Sequence, residues 1–146
     1  MRYLFLVFIA SVVSCSSKYT AQEIVDNSIQ NSKLKALQKA TISFVFRGKK
    51  YQATRDDGLF EFVREQEKDS IRIKDVLSND SFKRYINDSL VQLSEKDQNR
   101  YRNSVNSVHY FSILPLGLND KAVFKKLLGE VTINGKEYYK VQVTFA

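Results

Sequence analysis

The sequence predicts an α+β fold: a curved antiparallel β-sheet meander with an N-terminal helix and an inserted helix packed on its concave face. Three observations predict it. From Thr41 onward apolar residues recur at every second position in short runs, the period of half-buried strands. The runs are separated by loops of about two to five residues rich in Gly, Asn and Asp, which pair neighbouring strands antiparallel. Two segments, one before the strands and one among them, open with a Ser or Thr followed three positions later by an acidic residue, the signature of a helix N-terminus. At 146 residues, 43% hydrophobic and 27% charged, the chain has the balance of one globular domain. It is too short for a complete (β/α)₈ barrel of about 250 residues. It has no long βαβ crossover, no Gly-x-Gly-x-x-Gly and no phosphate-loop sequence, which counts against dinucleotide-binding folds.

The N-terminus reads as an export signal. Arg2 supplies a short positive region, and Tyr3 to Val13 is an apolar stretch without charge. At ~1.5 Å per residue that stretch is too short to span a ~30 Å hydrocarbon core. It ends in Val12-Val13-Ser14-Cys15, which resembles the bacterial lipobox, and Cys15 is the one cysteine of the chain. A lone cysteine makes no intramolecular disulfide and no multi-cysteine metal site, so a lipid anchor is the economical use for it. The expected organisation is a lipoprotein signal peptide over 1–14, a lipidated N-terminus and short tether over 15–20, and one antiparallel-sheet domain over 21–146. Resemblance to lipoproteins implies cleavage before Cys15 and a diacylglyceryl thioether on its sulfur. Ser16 and Ser17 after the cysteine imply, by the same resemblance, the outer membrane, with the domain facing the periplasm. Loss of Arg2 takes the formal net charge from +7 to +6. The basic residues are scattered and form no aromatic-and-basic run like an RNA-recognition signature, so no nucleic-acid partner is expected.

Along the mature chain, Thr20 with Glu23 makes a capping box for a helix over 21–31, striped by Ile24, Val25, Ser28 and Ile29. Leu34, Ala36, Leu37 and Ala40 add a further turn. The first strand starts at Thr41, with Ile42, Phe44 and Phe46 on one face. Gly48-Lys49 closes a hairpin to Tyr51–Arg55, and Asp56-Asp57-Gly58 turns into Leu59–Arg64, where Phe60 and Phe62 share a face. A fourth strand carries Ile71 and Ile73. Asn79-Asp80 and Asn87-Asp88 bracket a fifth with Phe82, Tyr85 and Ile86, and Leu90, Val91 and Leu93 make its partner. Ser94, with Asp97 at the capping-box position, opens a helix from Glu95 to Ile113 that stops before Pro115. Tyr101, Val105, Val108 and Ser112 recur on it at helical spacing. Val131 and Ile133, the Asn134-Gly135 turn, and Tyr139, Val141, Val143 and Phe145 form a last hairpin. Its alternating strand runs straight to Ala146, a hydrophobic edge, so the expectation is a C-terminally incomplete chain or an edge covered by a partner.

The order of lipobox, short linker, helix beginning Ala21-Gln22-Glu23-Ile24-Val25-Asp26, and aromatic strands leads to the stretch from Ser104 to Val123 and the hairpin from Leu127 to Phe145. This order resembles a family of uncharacterised bacterial lipoproteins, related at the fold level to LolA/LolB-like lipoprotein carriers. The resemblance covers nearly the whole mature chain and is most specific over Ser104 to Lys121. It implies an unclosed antiparallel half-barrel lidded by helices, with an apolar cavity able to hold acyl chains. Members generally carry further strands after the last hairpin.

The residues offer little for chemistry. His109 is the one histidine; Ser112 lies three residues on, but no Gly-x-Ser-x-Gly elbow accompanies it, so a packing role is expected. No catalytic residue, no metal site and no cofactor is predicted. The aromatics say more. Ile42, Phe44, Phe46, Phe60, Phe62, Tyr139, Val141 and Val143 are the candidates to line an acyl-sized cavity, while ordinary core packing explains the same pattern. The leading expectation is a non-catalytic, membrane-anchored lipoprotein that binds a lipid or acyl ligand. An envelope scaffold that binds a protein partner is the alternative, and an envelope enzyme comes last.

Overall fold

The computed structural model describes residues 18–146. The expected signal segment, the lipobox residues Val12, Val13 and Ser14, and Cys15 lie outside the described residues. Helix α1 spans Ala21–Asn31. Both arms of its capping box form: Thr20 Oγ1 accepts from the Glu23 N–H at 3.2 Å, and Glu23 Oε2 accepts from the Thr20 N–H at 2.7 Å. Lys33, at φ 58°, breaks the helix, and a 3₁₀ turn Leu34–Gln38 leads into the sheet.

That sheet is a six-stranded antiparallel meander of β1 (Lys39–Phe46), β2 (Lys49–Asp56), β3 (Leu59–Lys68), β4 (Ile71–Ser78), β5 (Phe82–Ile86) and β6 (Ser89–Val91). It is unclosed: β1 and β6 are its two edges. Helix α2 (Glu95–Phe111) follows, capped by Ser94, whose Oγ accepts from the Asp97 N–H. A 3₁₀ turn Leu116–Asn119 leads to β7 (Val123–Ile133) and β8 (Lys136–Phe145), which form a separate two-stranded sheet. The fold is therefore α+β and mostly antiparallel.

Several elements differ from expectation. The β1–β2 turn sits at Arg47-Gly48, one residue early, because those two residues take the successive positive φ values, 50° and 71°, that a tight hairpin requires. β3 and β4 run well past Arg64 and Ile73. Apolar alternation fades there, but opposite charges face each other across the ladder, Glu65 with Lys74 and Glu67 with Arg72, and extend it. β7 begins at Val123 rather than near Val131. A register shift between Leu127 and Gly129 interrupts its alternation, which hides the first half of the strand from a period-two reading.

The largest difference concerns α1. Of the two described α-helices it is α2 that covers the six-stranded sheet, over β3 and β4; α1 packs on β7 and on the two 3₁₀ turns. A polar clip holds it there, with Gln22 Nε2 donating to Asn119 Oδ1 at 2.9 Å and Asn119 Nδ2 donating to Asp26 Oδ1 at 2.7 Å. The break at Lys33 leaves the α1 stripe of Val25 and Ile29 free to bury against this second layer. The main core is Ala53, Phe62, Leu77, Phe82 and Val105, with Ile42, Phe60, Leu93 and Tyr101 against it.

Candidate functional site

Strand register organises the sheet face beneath α2 into two cross-strand rows. One row, Ile42, Ala53, Phe62, Leu77 and Phe82, is apolar. The next, Phe44, Tyr51, Arg64, Asp75 and Arg84, turns from aromatic to charged along its length. Tyr101, Val105 and His109 of α2, one turn apart each, lie along these rows and make the helix and sheet a filled interface.

At the charged end Asp75 is 1% exposed and accepts four N–H bonds. Arg64 donates from Nε at 2.9 Å and Nη2 at 2.6 Å; Arg84 donates from Nε at 2.7 Å and Nη2 at 3.0 Å. Arg64 Nη1 reaches Ser104 Oγ on α2 at 2.8 Å, and the Arg84 guanidinium lies 3.3 Å from the Tyr101 ring centroid. Burial works against the charge on Arg84, but the hydrogen bonds and charge of Asp75 outweigh it and hold the pKa above the ordinary arginine value. This charged cluster clamps three strands to the helix.

At the aromatic end His109 is fully buried. Its ring stacks on Phe62 at 4.4 Å and meets Phe44 and Tyr51 edge-on at 5.8 and 5.5 Å. Neither ring nitrogen makes a well-formed hydrogen bond, and desolvation, opposed by the Val63 backbone and helped by Arg55 and Arg64, pushes the pKa down from 6.5 to about 4. The imidazole is therefore neutral at pH 7. Ser112 Oγ donates to the His109 carbonyl at 2.9 Å, not to the ring, and Ser104 is engaged by Arg64. Arg55, half-buried on β2, lies over Phe62 at 4.7 Å and donates from Nη2 to the His109 carbonyl at 3.4 Å. Its Nη1 is buried without a partner, no ion pair to it is found among the described residues, and desolvation lowers its pKa.

One groove flanks the C-terminal half of α2 and a second lies just beyond its C-terminal end. One, of about 360 Å³, lies between α2 and the β1 edge and is lined by Phe44, Val45, Phe46, Ser107, Val108, Phe111 and Ser112. The other, of about 530 Å³, lies at the β2–β3 turn and is lined by Gln38, Arg55, Asp57, Gly58, Leu59, Phe60, Phe62, Ile113 and Leu116. Phe145 of β8 adds an exposed ring 6.1 Å from Phe111.

The eight cavity candidates thus fall into separate places. Ile42, Phe44, Phe60 and Phe62 meet the underside of α2 or its neighbours, and Phe44, Phe60 and Phe62 also reach the grooves. Phe46 stands at the β1 rim. Tyr139, Val141 and Val143 are half-buried on β8, in the other sheet, where Tyr19 packs edge-on against Tyr139. Sequence reasoning missed Arg55, Arg64, Asp75 and Arg84. The signal for two of them was present, since Arg64 follows Phe62, and Arg84 follows Phe82, by two residues and so points to the same face.

Among the described residues no cluster of His, Cys, Asp or Glu could hold a metal ion, and no helix is long and apolar enough to cross a membrane. No curated protein and no solved structure matches the chain. The model of a family of unknown function, DUF6503, matches residues 2–146, and the chain belongs to that family.

Proposed function

We propose that the chain is an outer-membrane-anchored periplasmic lipoprotein that holds an acyl chain without acting on it chemically. Lipid on Cys15 supplies the anchor, and the tether over 15–20 keeps the domain within a few tens of ångströms of the bilayer that supplies the ligand. In this reading the sheet is an unclosed half-barrel of the LolA/LolB-like kind. The observation that carries the binding role is the pair of grooves beside α2, whose walls are mostly Phe, Val, Leu and Ile side chains. Because Val105 and His109 fill the middle of the interface, the ligand lies along the rim of the helix and not in an enclosed lumen.

Native mass spectrometry of the chain, expressed with its export signal so that it meets envelope lipids, tests this. A compact monomer carrying a non-covalent adduct of acyl or phospholipid mass, lost on denaturation and additional to the lipid on Cys15, is expected, and a compact monomer with no such adduct overturns the reading. The second reading is a scaffold that binds a protein partner. It is favoured by β1, an edge strand that exposes Val45 and Phe46 and suits strand addition. A retained protein in place of the lipid adduct would point there.

A further inference from the structure

We infer that Arg55 is the headgroup anchor of a site for carboxylate-headed alkyl chains, with the carboxylate on its guanidinium and the chain laid in the groove at the β2–β3 turn. This rests on the acyl-binding reading and adds the chemical class of the ligand.

The groove is amphipathic in the required way. Leu59, Phe60, Ile113 and Leu116 give it apolar walls, and Arg55 is its one cationic lining residue. A guanidinium offers five N–H donors and stays charged. Among the described residues the single acceptor on Arg55 is the His109 carbonyl at 3.4 Å, beyond the usual range for a good N–H···O bond. Nη1 is buried with no acceptor among the described residues, so the surroundings of the guanidinium leave its charge under-satisfied. The contrast with Arg64 and Arg84 is direct, because those two share Asp75 and Arg55 has no such partner. Phe62 lies 4.7 Å from the guanidinium, and a planar fork matches the two oxygens of a carboxylate. Asp57, the one acidic residue in the lining, is exposed to solvent, with Lys39 3.9 Å away.

Isothermal titration calorimetry of the full chain in a zwitterionic nanodisc, with an empty nanodisc as reference, compares laurate, 1-dodecanol and acetate. Laurate is expected to bind about tenfold more tightly than 1-dodecanol, the worth of one charge-assisted contact. Arg55→Gln should abolish that preference, and Arg55→Lys should keep part of it. Equal laurate affinity in wild type and Arg55→Gln, with both alkyl ligands bound, overturns the anchor and leaves the acyl-binding reading standing. No binding of either alkyl ligand overturns both. If Arg55→Gln fails to fold, the wild-type ratio of laurate to 1-dodecanol decides alone: a ratio near one overturns the anchor.

Discussion

Replacing Asp75 by asparagine removes the charge that holds the sheet to α2. The carboxylate is 1% exposed and answers four N–H donors from Arg64 and Arg84, themselves 5% and 7% exposed. Asparagine keeps the shape and one acceptor oxygen, but sets an NH₂ group against guanidinium donors and leaves two buried cations without a counter-charge. Breaking a buried ion pair from one side costs about 3–5 kcal/mol, a large share of the roughly 5–15 kcal/mol that holds a domain together. With a urea slope of about 2 kcal/mol/M, a loss of about 4 kcal/mol lowers the unfolding midpoint by roughly 2 M. Urea titration followed by far-ultraviolet circular dichroism at neutral pH reads it. The companion variant carries Arg64→Met, Asp75→Leu and Arg84→Met together. It should lie within about 1 kcal/mol of wild type or above it, since an apolar replacement removes the desolvation penalty along with the attraction. A midpoint shift below roughly 0.5 M for Asp75→Asn would refute the clamp.

Two further outcomes follow from the same interface. His109 has its pKa lowered from 6.5 to about 4, so the unfolded chain binds a proton in that window that the folded protein does not, and stability rises with pH across it. The contribution of neutral His109 is complete above about pH 6.5 and falls away towards about pH 4, about 3 kcal/mol in all; the urea midpoint of wild type should fall relative to that of His109→Leu, which has no imidazole to protonate, as the pH drops across that range. At Gly117 an added Cβ would stand 2.5 Å from Tyr110 Cε2, and Tyr110 also donates its hydroxyl to the Gly117 carbonyl at 2.8 Å. Gly117→Ala should therefore swing the Tyr110 ring aside at about 1–3 kcal/mol, read as a lower melting temperature with a changed near-ultraviolet tyrosine signal.

What could be read in the sequence was whatever is settled locally. Thr20 with Glu23, Ser94 with Asp97 and Asn134-Gly135 each fix a cap or a turn within a few residues, and each stands where the pattern puts it. Features decided by register were not legible. Arg64 and Arg84 lie on inward positions of their strands, yet an arginine in an alternating run reads as solvent-facing until Asp75 is known to sit between them. The separation of β7 and β8 from the main sheet, and the place of α1 upon them, go with a helix break at Lys33 and a register shift near Leu128 that no periodicity announces. For the candidate site, His109 was recognisable as a helix residue facing the sheet. Arg55 looked like the end of a short strand, and its isolation from carboxylates is visible only once the strands are side by side.

Covalent mapping asks whether an acyl chain lies along the rim of α2. Full-length protein in a zwitterionic nanodisc is irradiated with a palmitate analogue bearing a diazirine on its chain, digested, and sequenced by mass spectrometry. Label is expected on the peptides carrying Phe44 to Phe46, Leu59 and Phe60, and Ser107 to Leu116, reduced by excess unlabelled palmitate. Label confined to the outer face of the sheet or to β8, or none that unlabelled palmitate displaces, would contradict that placement.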